Sequence, residues 1–152
     1  MKRWNKKWVL VILVVLLAVL AVGYFGNPLL RVKVFVVLHS EELTQRIALA
    51  NPEGREDLYS PSVPTGMGIR TFNLWPGTHD MIEFSLFASG FGSETTYYGC
   101  YYSFDDVPLA FQNGDVDLVQ NGHDYWEWKG EGDNWGATQK LADNWYYFEA
   151  SF

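Results

Sequence analysis

The chain of 152 residues holds 18 Asp and Glu against 11 Lys and Arg, and a single Cys. Lys2, Arg3, Lys6 and Lys7 all precede residue 8, which leaves residues 27–152 with seven basic and 18 acidic side chains, a net charge of −11. Such a surface repels nucleic acid and anionic headgroups and favours cations or basic partners, and one Cys cannot build an intramolecular disulfide framework.

The first element in the chain is apolar throughout. Val9 to Phe25 is a run of 17 residues without a strongly polar side chain, and at about 1.5 Å per residue a helix of that length spans roughly 26 Å, sufficient for a bilayer. Only a helix satisfies its own backbone in hydrocarbon, so the Val and Ile residues here do not argue for a strand. The basic residues before it, with Trp4 and Trp8 at one end and Tyr24 and Phe25 at the other, predict a cytoplasmic stub over residues 1–7, a transmembrane anchor in the lipid bilayer over residues 8–26 and an extracytoplasmic domain over residues 27–152. A signal peptide cleaved after Ala21 is the competing reading, and it would make the protein secreted. The apolar run continues past that point to Gly23, which favours a retained, single-pass anchor.

Asn27-Pro28 is a helix start: Asn caps free amides, and Pro suits the first helical position, where an N–H has no partner. Leu29, Val32, Val36, Leu43, Ile47 and Ala50 recur at helical spacing, and Asn51-Pro52-Glu53-Gly54 is a stop, so residues 28–50 are predicted as a helix. The rival is a strand over residues 32–38 followed by a helix capped at Ser40. Residues 51–67, with three Pro and two Gly, read as a surface loop. Strands follow at 68–74, 80–87, 95–103, 124–129 and 144–152, with a short element at 138–141 and loops at 88–93 and 130–136. In the second strand Ile82, Phe84 and Leu86 alternate with Glu83 and Ser85. Leu109 to Gln112 and a piece around 116–119 lie between the third strand and the next, after a turn at Phe104-Asp105-Asp106-Val107-Pro108. The expectation is an α+β fold: an N-terminal transmembrane helix, then one helix packed on an antiparallel sheet of about five or six strands.

The stretch from Tyr97 to Phe111, Tyr97-Tyr98-Gly99-Cys100-Tyr101-Tyr102-Ser103-Phe104-Asp105-Asp106-Val107-Pro108-Leu109-Ala110-Phe111, together with residues 143–150, resembles a family of small, single-pass membrane proteins of bacteria. The resemblance implies an anchored extracytoplasmic α+β domain and carries no active site.

Catalytic and metal signatures fail one by one. Glu131-Gly132-Asp133-Asn134-Trp135-Gly136 superficially resembles the start of a calcium loop, but Trp135 holds its fifth position and Ala142 its twelfth. His39, His79 and His123 stand 40 and 44 residues apart with no ligand partner nearby, no Gly-x-Ser-x-Gly elbow or phosphate-binding glycine loop occurs, and Cys100 reads as a small apolar residue buried in a strand. Neither a metal nor a cofactor is expected; the alternative is a calcium site of another kind drawing on Asp115, Asp117, Asp133 or Asn134, against which these residues read as turn formers that bond their own backbone.

Residues 94–152 hold 15 Phe, Tyr and Trp, a surplus that predicts an exposed aromatic patch. The best ligand-binding set is Tyr101, Asp105, Asp106, Trp126, Trp128 and Trp135, flat rings beside carboxylates as in peptide or carbohydrate sites. Against it stands the structural reading, in which the rings form core and Asp105-Asp106 forms a turn. The function expected is a non-enzymatic, membrane-anchored domain that binds or scaffolds in the cell envelope, a protein partner ahead of a glycan and no nucleic acid. The alternatives are a hydrolase of envelope polysaccharide, which needs two carboxyl groups across a cleft, and an acidic inhibitor or immunity-type protein.

Overall fold

A computed structural model describes residues 6–49, 67–92 and 94–152. Two compact units divide the chain, Met1–Arg31 and Val32–Phe152. The expected loop at 51–67, apart from Met67, and most of the basic stub at 1–7 lie outside the described residues.

In the first unit, helix α1 covers Lys6–Phe25. Its stretch Lys7–Phe25 is long and apolar enough to cross a membrane, and none of it is buried within the protein. Large side chains along it, such as Leu10, Leu16 and Val22, are more than half exposed.

Helix α2 covers Pro28–Leu49, in place of the rival strand at 32–38. Asn27 caps it as its sequence predicts, the Asn27 Oδ1 accepting from the Leu30 amide at 3.0 Å. Val32, Val36, Leu43 and Ile47 form its buried face, four of the six positions that recur at helical spacing.

The sheet of the second unit has seven strands, one or two more than predicted, in the order β1-β2-β3-β7-β6-β5-β4, and every pair is antiparallel. The strands are β1 Thr71–Trp75, β2 Met81–Phe91, β3 Glu94–Ser103, β4 Val119–Gln120, β5 Tyr125–Lys129, β6 Trp135–Ala142 and β7 Trp145–Ser151. Strand β2 runs on to Phe91, through most of the stretch predicted as a loop, and β6 starts at Trp135, inside the other. The difference at β6 has a packing cause: Gly136 lets the Trp128 ring come close to the strand, where a Cβ would meet that ring and the Glu149 carbonyl oxygen, each at 2.5 Å. A glycine inside a strand thus marks close approach rather than a loop.

Both faces of the sheet are covered around its middle. On one, Phe72, Phe84, Cys100, Trp145 and Tyr147 are buried. Over the other runs the connection from β3 to β4, residues 104–118. Its Leu109 joins Met81, Tyr101, Tyr146 and Phe148 in one buried cluster, with Trp75, Val107, Phe111 and Trp126 packed against it. Its Ala110 joins Trp128 and Ala150 in a second. Full burial of each large side chain of this kind stabilises by roughly 1.5–3 kcal/mol, so most of the aromatic surplus is spent on this layer. Among the described rings of the sheet unit, Phe91, Trp135, Phe152 and Tyr97 are the exposed ones.

Candidate functional site

The crossover that covers the sheet also encloses a charged group. Glu83 stands in β2 opposite Asn73 of β1 and Tyr101 of β3, on the face crossed by residues 104–118. It is 1% exposed. Its Oε2 accepts from the Gln112 amide at 3.1 Å, while for Oε1 there is Ser85 Oγ at 3.5 Å, the outer limit of a hydrogen bond. Burial pushes its carboxyl up to about 7, against the lesser pull of the Gln112 and Ser85 bonds. Near neutral pH the group is therefore poised between carboxylic acid and carboxylate, able to donate or to accept.

The backbone that meets Glu83 is strained. Gln112 and Asn113 both take positive φ, 55° and 54°, within a short 3-10 turn at Phe111–Asn113. Left-handed backbone costs a non-glycine residue about 1–2 kcal/mol, and two in succession persist only where surrounding bonds impose them. Here the Gln112 amide donates to Glu83, and Asn113 Nδ2 donates to the carbonyls of His79 at 3.0 Å and Trp75 at 3.3 Å. The carboxyl and the turn hold one another in place.

Glu83 lines a cavity of about 460 Å³ whose walls include Asn73 and Ser85 from the sheet, Tyr97, Phe111 and Phe152 as rings, and Arg70. Arg70 is exposed, and its amide donates to the Ser85 carbonyl at 2.7 Å. The rings touch one another, Phe111 to Phe152 at 5.4 Å between centroids and Tyr97 to Phe111 at 6.0 Å. A second depression of about 290 Å³ shares Phe111, Gln112 and Phe152 with the first and adds Trp75, Val116 and Trp128. The indole N–H of Trp75 is buried without a hydrogen-bond partner among the described residues. Beyond Val116 and Gly130, a third depression is lined by Asp115, Asp117 and Glu131 together with Lys129.

The six residues marked by sequence are dispersed. Tyr101 is wholly buried, and its hydroxyl is fully used: Thr138 Oγ1 donates to the Tyr147 carbonyl at 2.9 Å, Tyr101 donates to Thr138 Oγ1 at 2.7 Å, and the Leu109 amide donates to Tyr101 at 2.8 Å. Burial pushes that hydroxyl well above the usual tyrosine range, so it stays protonated. Asp106 ties the turn after β3 to the β6–β7 hairpin, accepting from Lys140 Nζ at 2.6 Å, the Asn144 amide at 2.9 Å and the Tyr146 hydroxyl at 3.1 Å. The Lys140 bond is the chief reason its carboxyl lies below the usual range. Asp105 pairs with His79 Nδ1 at 2.8 Å, both side chains about half exposed. Trp126 packs against the buried cluster, Trp128 is buried and reaches the second depression, and Trp135 is 42% exposed on the opposite face of the sheet. None of the six lines the cavity that holds Glu83, and Trp128 alone borders the depression that adjoins it.

Glu83 itself gave no distinctive sequence signal beyond alternation, because the residues that bury it stand more than 20 positions later. The signal available was the apolar content of Val107, Leu109, Ala110 and Phe111, too much for a surface turn. Among the described residues no three His, Cys, Asp or Glu come together as a metal site. The chain matches no family model, no curated protein and no solved structure.

Proposed function

We propose that the protein is a single-pass, membrane-anchored domain facing out of the cytoplasm, and that it binds an envelope partner in the cavity that Glu83 lines. The observation that carries the reading is Glu83 itself. A carboxyl group buried with one oxygen poorly satisfied costs stability, and strained backbone beside it adds to that cost. Such groups concentrate at sites where a ligand completes the bonding. The apolar α1 and the four basic residues before position 8 supply the anchor and its orientation. Among the described residues lining the cavity Glu83 is the one acidic group, so the paired carboxyls of a glycoside hydrolase are not assembled there and binding is the better reading.

Photocrosslinking in intact cells tests this. The crosslinker p-benzoylphenylalanine replaces Tyr97 in the cavity wall in one strain. In a control strain it replaces Val119, which is 63% exposed on the other face of the sheet. A discrete adduct from position 97, absent from position 119 and lost in Glu83→Gln, is the expected result. Equal labelling from both positions, or none from position 97, would refute the site.

A further inference from the structure

Resting on that reading, we propose that the groove accepts an extended basic peptide segment of a partner protein, one of whose Lys or Arg side chains runs along Phe111 and Phe152 to Glu83. The shape comes from the two depressions that share Phe111, Gln112 and Phe152. A single side chain fills only part of one of them, whereas an extended main chain crossing both keeps its side chains within reach of each. The rings suit the alkyl stem of a basic residue, and their faces attract its charged head.

The charge pattern selects the class. Glu83 is buried with an oxygen whose nearest donor, Ser85 Oγ, stands at 3.5 Å, and an ammonium or guanidinium supplies a closer donor along with the opposite charge. At the far end, Asp115, Asp117 and Glu131 outnumber Lys129, and residues 27–152 as a whole carry −11, which draws basic segments toward the groove. A neutral glycan offers hydroxyls but no charge to hold Glu83 ionised. Trp75 adds a buried N–H donor at the second depression, for which a peptide carbonyl is a fitting acceptor. Arg70 at the first depression opposes a cation, but it is exposed and its guanidinium remains in high dielectric, where the repulsion is small. Where Glu83 enters the complex as the acid, its proton leaves to solvent as the ion pair forms, and no covalent bond is made or broken.

The probes are a blocked pentapeptide, acetyl-Ala-Ala-Lys-Ala-Ala-amide, its norleucine analogue, which keeps the stem and loses the charge, and chitotetraose. Isotope-labelled full-length protein in nanodiscs is titrated with each while the Gln112 amide resonance is followed, since that amide donates to Glu83. The lysine peptide is expected to shift it saturably, with a Kd at least tenfold below that of the norleucine analogue. Glu83→Gln should abolish the difference, and Arg70→Gln should lower the Kd for the lysine peptide two- to fivefold. Calorimetry at pH 6 in phosphate and in MES should also differ, reporting proton release for the lysine peptide alone. Equal affinity for the two peptides, or preference for chitotetraose, overturns the basic-peptide assignment. If that happens while the Tyr97 crosslink persists, the ligand class is wrong and the site stands; if the crosslink is also absent, both readings fall.

Discussion

Replacing Glu83 by Gln keeps the shape of the side chain and an oxygen to accept from the Gln112 amide, and removes the charge. The carboxyl is raised from an ordinary 4.5 to about 7 in the folded protein, chiefly by burial. Below pH 4.5 it is neutral in both folded and unfolded chains and costs nothing. As pH rises from 4.5 to 7 the unfolded chain loses this proton while the folded one keeps it, so the native state is progressively disfavoured. A shift of this size corresponds to a cost on the order of 3 kcal/mol once pH exceeds 7. Glu83→Gln should therefore be more stable than wild type by up to about 3 kcal/mol at pH 8, with the gain shrinking toward zero near pH 4. Urea unfolding of the full chain in a non-ionic detergent, followed by Trp fluorescence at half-unit pH steps, reads the difference directly, because other titrating groups cancel between the two proteins. A pH-independent difference, or a Gln variant less stable at pH 8, would mean that Glu83 is ionised and well paired in the folded state, and the argument for an incomplete site would fail.

Tyr101→Phe should destabilise by about 1–3 kcal/mol, because the Leu109 amide loses its acceptor in a buried setting; a shift in urea midpoint worth less than about 0.5 kcal/mol would refute the structural role given to Tyr101. Asp106→Asn tests the opposite titration. The Asp106 carboxyl is lowered in the folded protein, first by Lys140, so its contribution is present above the ordinary value of 3.8 and is lost as pH falls through the lowered one. The wild-type advantage over Asp106→Asn should be clear in the urea midpoint at pH 7 and shrink as pH falls below 3.8; an advantage that stays unchanged down to pH 2 would contradict the ion-pair account.

Much of the fold is legible in local pattern. Helix α2 follows from the Asn27-Pro28 start and the spacing of Val32, Val36, Leu43 and Ile47, because a helix records its buried face within a few turns. Strand β2 follows from alternation from Ile82 to Leu86. What alternation cannot convey is whether the second face meets water. That was decided by the connection at 104–118, whose Leu109 and Phe111 return over the sheet and convert Glu83 from a surface residue into a buried one. For the same reason the six marked residues are dispersed: rings adjacent to acids in sequence mostly lie in the core or at a turn, as Tyr101 and Asp106 illustrate. Gly136 misled the placement of β6 because its partner in the close contact, Trp128, is a neighbour in space across the hairpin.

The position of β7 has a consequence for how the sheet is assembled. It follows every other described strand in chain order, yet it lies between β3 and β6, so β1–β3 and β4–β6 are two three-stranded ribbons with no strand pairing between them until it arrives. This dependence makes the unfilled slot beside β3 a point of vulnerability, open to any extended segment that reaches it before β7 does.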